Sequence, residues 1–164
     1  MKTTSNLQVI TLAHLSRSPD ERKTLYEVMT EVNQLFALID TPYSPGTFYP
    51  AMKSLNRAKL ISINQSGCLI EQLGLTHLEA ILLNYPLPVS LTGVLYRLMA
   101  ANISADADLK SKASKRIDIE LIKFDQIGSV GDIESGHHKK APNIIRQHIA
   151  NCLRRILIDL GDGE

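Results

Sequence analysis

A chain of 164 residues with 44% hydrophobic side chains suits one ordinary domain, or a small domain with an extension, and excludes a disordered protein. Its net charge of +1 argues neither for nor against nucleic acid, and its two cysteines, Cys68 and Cys152, supply neither a disulfide framework nor a zinc spacing. No apolar run is long enough to span a membrane and no cleavage site follows the apolar start, so the expectation is a cytoplasmic protein with both thiols reduced.

In chain order, Ser5 or Asn6 is placed to cap a first helix that turns Leu7, Ile10, Leu12 (or Ala13) and Leu15 inward. A polar loop over 16–23 follows. Thr24 with Glu27 three residues on makes a capping box for a second helix. Its apolar side is Leu25, Val28, Met29, Val32, Leu35 and Phe36, and Thr41-Pro42 sets its limit. Ser44 then caps a third helix, with Pro45 at the first helical position, where a missing N–H costs nothing. Phe48, Ala51, Met52, Leu55 and Ala58 fall on one side of it; Tyr49, Lys53, Asn56 and Arg57 fall on the other. The second set comprises residue types that reach phosphates and base edges. Pro50 deletes the bond to the Gly46 carbonyl, which predicts a kinked or loosened first turn.

Two short apolar runs from Leu60 to Ile70 flank Asn64-Gln-Ser-Gly67 and predict a β-hairpin with a tight tip, closed by Glu71 and Gln72. Thr76 is the expected cap of a further helix through Leu78, Ile81 and Leu82 to Asn84, and Pro86 and Pro88 mark a boundary. The run Ser44-Pro-Gly-Thr-Phe-Tyr-Pro-Ala-Met-Lys-Ser-Leu, followed by Ala58-Lys-Leu-Ile, resembles the signature of the PadR family of winged-helix transcriptional regulators. In that family this run is the helix that enters the DNA major groove. Tyr26-Glu-Val28 and Leu75-Thr76 also resemble family positions, although Leu25 and Glu79 stand where glycines are usual. The resemblance covers about residues 6–82. It implies a winged helix-turn-helix domain over 1–86 whose DNA contacts come from Ser44, Gly46, Thr47, Tyr49, Lys53, Asn56, Arg57, Gln65 and Ser66.

Beyond it, pattern alone predicts a helix on Leu91, Val94, Leu95, Leu98 and Met99, and another on Leu109, Ala113, Ile117, Leu121 and Phe124. Lys110, Lys112, Lys115 and Arg116 fall outside the latter. Residues 128–140, with three glycines, read as a loop. Pro142 opens a last helix in which Ile145, Ile149, Cys152, Leu153, Ile156 and Leu160 form an apolar stripe. PadR-like proteins dimerise through helices after the winged domain, so 87–164 is expected to be a helical dimerisation region. The fold class is thus mainly α (α+β): a winged domain with a helical extension.

No phosphate-binding loop or nucleophile motif is present, and no catalytic residues, cofactor or metal are expected. His137 and His138 read as a solvated loop, and Asp106, Asp108, Asp118 and Glu120 as surface. Cys68 reads as a small hydrophobe in a strand. With no Trp, and few aromatics beyond Tyr85, an effector pocket is not supported. Up to Pro86, seven Lys and Arg balance seven Asp and Glu, so bulk attraction to DNA is small. Lys53, Arg57 and Lys59 are nonetheless gathered on or beside the third helix, and Arg22 and Lys23 precede the second. Two readings stand: a homodimeric repressor on double-stranded DNA, or a winged module that binds protein through the same face. The neutral charge and uncharged hairpin tip favour the second; the polar face of the third helix favours the first.

Overall fold

The first helix, α1 (Asn6–Leu15), is the pillar on which the rest is hung. Ser5 closes its N-terminus in a reciprocal box with Gln8, which settles the choice between Ser5 and Asn6. The expectation of one inner face was too narrow: Leu7 and every residue from Val9 to Leu15 are buried. The reason is its neighbours, since α1 packs on four other helices and a strand, and a helix apolar all round belongs in a core. Thr11 satisfies its buried hydroxyl by donating to the Leu7 carbonyl at 2.7 Å.

The computed structural model describes residues 4–37, 42–86, 91–104 and 106–130. Among them are α2 (Leu25–Phe36), α3 (Pro45–Arg57), the strands β1 (Ile61–Asn64) and β2 (Gly67–Ile70), α4 (Gln72–Leu83), α5 (Leu91–Ile103) and α6 (Ala107–Val130). Across the described residues the protein is therefore mainly helical, with one two-stranded antiparallel sheet. No helix among the described residues is long and apolar enough to cross a membrane. The stripe from Ile145 to Leu160, with Cys152, lies outside the described residues, as do His137 and His138.

The second helix begins as expected, with Thr24 and Glu27 exchanging hydrogen bonds. Val28, Val32 and Phe36 are fully buried, and Leu25, Met29 and Leu35 pack at the margin of the core. The hairpin pairs Ile61 with Ile70 and Asn64 with Gly67, leaving Gln65 and Ser66 as its two-residue tip. A third segment joins it. Lys23 donates its N–H to the Cys68 carbonyl at 3.1 Å and accepts the Cys68 N–H at 2.7 Å. Gly67, at φ 122°, makes this possible, because a Cβ there would lie 2.5 Å from the Lys23 carbonyl oxygen.

Four expectations need correction. The fourth helix starts a turn early, at Gln72, and Thr76 is inside it, donating to the Gln72 carbonyl at 3.1 Å. Gly74 permits the early start: a Cβ there would sit 2.1 Å from the Leu60 carbonyl oxygen, so only glycine lets the first turn lie against that strand end. Arg116 is not on the outside of α6. It donates to the Leu82 carbonyl at 2.7 Å and to the Tyr85 carbonyl, beside Arg97, which donates to Ile81 at 3.0 Å. The two guanidiniums thus satisfy the open carbonyl end of α4. Residues 128–130, read as loop, are the last of α6, and Ala58, read as core, is the exposed C-cap of α3.

The core runs on past Pro86. Tyr96 of α5 is buried with its ring 4.9 Å from that of Phe36 of α2. Ala100, Ala101, Leu109 and Ala113 belong to the same cluster as the side chains of α1 to α4. A chain ending at Pro86 would leave the α5-facing side of α1 in water.

Candidate nucleic-acid interface

The third helix separates its two faces as its periodicity requires. Phe48, Met52 and Leu55 are buried to 2% exposure or less. All nine residues expected to face DNA (Ser44, Gly46, Thr47, Tyr49, Lys53, Asn56, Arg57, Gln65 and Ser66) are exposed. Pro50 does not interrupt the helix, which continues from Pro45 to Arg57. Tyr49 keeps one edge against Phe48, with ring centroids 5.9 Å apart, and 36% of its surface open.

The N-terminus of α3 differs from those of α1 and α2. Ser44 takes the N-cap position, but its side chain caps no N–H; its Oγ lies 3.3 Å from the Thr47 hydroxyl instead. No acidic residue occupies the first turn. Whereas α2 carries Glu27 on its own N-terminus, α3 leaves its positive dipole end without a carboxylate, next to an exposed glycine. A Cβ added at Gly46 would have Ser44 Oγ as its nearest neighbour, at 3.7 Å, so packing does not demand glycine there.

Side chains at the other end are more engaged. Asn56 accepts the Ile63 N–H on its Oδ1 at 3.2 Å, so it ties α3 to the hairpin and keeps its amide N–H groups for a ligand. At the tip, Ser66 donates both its N–H and its hydroxyl to Asn64 Oδ1, at 2.9 and 2.7 Å, a local brace that sets the shape of the turn. Gln65 is exposed beside it.

Charge is distributed unevenly. The described ion pairs are Lys23–Glu31 and Lys112–Asp108, and His14 also contacts Glu31. Lys53 and Arg57 are exposed and take part in none of them. Lys23, offered by its position as a backbone contact, is instead held 2.8 Å from Glu31, and the α2 N-terminus already has Glu27. Of Arg22 and Lys23, only Arg22 is exposed and outside these ion pairs. Tyr26, which periodicity places on the outer face of α2, is 68% exposed and is the aromatic nearest to it in sequence.

Behind the interface, His14 joins α1 to α2 through a 2.6 Å contact from Nε2 to Glu31 Oε2. Its pKa is lowered, chiefly by desolvation, although Glu31 acts to raise it. The geometry agrees with the lowered value, because Nδ1 is buried without a partner and a second ring proton would have no acceptor. Glu31 is held below the usual carboxylate range, chiefly by its hydrogen bond from Lys23. Burial pushes the Cys68 thiol pKa up, so it packs rather than reacts. Among the described residues, no group of three or more His, Cys, Asp and Glu side chains is arranged to hold a metal ion. No protein-family model matches the chain, and no curated protein matches it either. The likeness of α3 to the PadR reading helix rests on the residues themselves.

Proposed function

We propose that this protein is a winged-helix DNA-binding transcriptional regulator, a dimeric repressor in which α3 reads the major groove and the β1–β2 hairpin is the wing. One observation carries the reading: the motif helix buries its apolar side and exposes every polar residue expected to meet DNA, with an N-terminus free of acidic side chains. Lys53 and Arg57 then supply phosphate or base contacts, and Tyr49, Ser44 and Thr47 supply hydrogen-bonding groups near the helix N-terminus. Dimerisation is assigned to the stripe from Ile145 to Leu160 on its sequence pattern. A two-fold dimer calls for an imperfect inverted repeat with half-site centres about 10 base pairs apart, or a multiple of that. Repression follows where such a site overlaps a promoter.

The balance of seven positive and seven negative residues up to Pro86, with a cation-free hairpin tip, favours the rival reading of a protein-binding module. A gel shift on the DNA upstream of the protein's own gene, with footprinting, separates the two. A symmetric footprint supports the regulator. Absence of binding to any DNA transfers the α3 face to a protein partner, and protection of one undivided half-site by a monomer defeats the two-fold dimer.

A further inference from the structure

Lys59 is the only non-glycine residue among the described ones with a positive φ, at 59°. It closes α3 at the position after the C-cap. Its N–H donates to the Asn56 carbonyl at 2.9 Å, and the Leu60 N–H reaches back to Leu55 at 3.1 Å. This paired pattern is the Schellman motif, whose left-handed residue is usually glycine because any Cβ there crowds the backbone. Leu60 is buried beyond it, so the turn itself is well used. Local stability favours glycine at 59; the chain has an exposed lysine.

The charge map supplies a reason. After Lys59 the sequence has no Lys or Arg until Arg97, and Arg97 is buried on the Ile81 carbonyl. The hairpin therefore has no cation of its own. Lys59 stands at the joint between α3 and β1, exposed, in none of the described ion pairs. We propose that Lys59 is the phosphate contact that anchors the α3–hairpin joint to the DNA backbone, kept at a left-handed position at a cost in stability. The inference rests on the DNA-binding reading above and adds a residue whose structural and binding effects have opposite signs.

The test compares the full-length protein with Lys59→Gly and Lys59→Arg. Thermal melts are run alongside salt titrations of binding to the upstream DNA and to a mixed-sequence duplex of roughly 40 base pairs, about four helical turns. Relief of the left-handed strain should raise the melting temperature of Lys59→Gly by about 2–4 °C. Loss of one phosphate contact per subunit should make the log–log salt slope shallower by about 0.9 for each subunit bound, and weaken binding roughly five-fold per contact near 0.15 M salt. Lys59→Arg should keep the wild-type slope. If Lys59→Gly melts higher but binds both duplexes with unchanged affinity and slope, the contact is refuted while the DNA-binding reading survives. A lower melting point for Lys59→Gly refutes the strain. If the wild-type protein binds neither duplex, both readings fall.

Discussion

Gly46 separates packing from recognition, because alanine there should help the fold and hurt the function. It is exposed in the first turn of α3, its φ lies outside the left-handed region, and an added Cβ would meet only Ser44 Oγ at 3.7 Å. Alanine is the better helix former and narrows the unfolded ensemble, so Gly46→Ala should stabilise by about 0.4–1 kcal/mol. For a chain of this length that raises the melting temperature by roughly 1–4 °C. If the α3 N-terminus approaches a phosphate or a base edge closely, the same methyl group holds the DNA away from the Gly46 N–H. A hydrogen bond to a charged acceptor is worth about 1.5–3 kcal/mol, so affinity should fall by at least ten-fold. Differential scanning calorimetry and fluorescence anisotropy on one preparation read both effects. A variant that melts higher and binds as well as wild type would refute the close approach at Gly46. One that melts lower would refute the account of its surroundings.

Three further outcomes follow from the same geometry. Phe48→Ala and Leu55→Ala should each cost roughly 2–5 kcal/mol in denaturant titrations, while Lys53→Ala and Arg57→Ala should stay within about 0.5 kcal/mol of wild type and weaken DNA binding; equal damage from both sets would mean that α3 is turned the other way. Asn56→Ala should cost about 0.5–1.5 kcal/mol by releasing the Ile63 N–H, whereas Asn56→Asp keeps the acceptor and should hold stability while weakening DNA binding; equal destabilisation by the two would remove the Oδ1 brace. Stability should fall with pH in two stages. Burial depresses the folded pKa of His14, and of His77, so their contribution is present above the ordinary value of 6.5 and is lost as pH drops through the lower folded values. Glu31, held down by Lys23, adds a second loss below 4.5. Urea melts across this range should show less of the first stage in His14→Gln, and an unchanged profile would refute the buried neutral imidazole.

Features set by local chemistry were legible in the sequence. The Thr24–Glu27 box, the start of α3 at Pro45, the split of Phe48, Met52 and Leu55 from Tyr49, Lys53 and Arg57, and the position of the hairpin all follow from caps, turns and periods a few residues long. Features set by neighbours were not. The burial of α1 on all sides comes from the helices around it, chiefly α5, which its own pattern cannot name. Gly74 looks like a weak point in a helix until the Leu60 carbonyl is seen against it. Arg116 looks like one more outer cation, and only the open end of α4 explains why it turns inward. Asn56 and Lys59 lie between these cases. Their residue types and helical positions are plain in the chain, but the strand N–H that occupies one exists only once β1 has folded back against α3, and the left-handed backbone of the other only once the C-terminus of α3 has closed on itself.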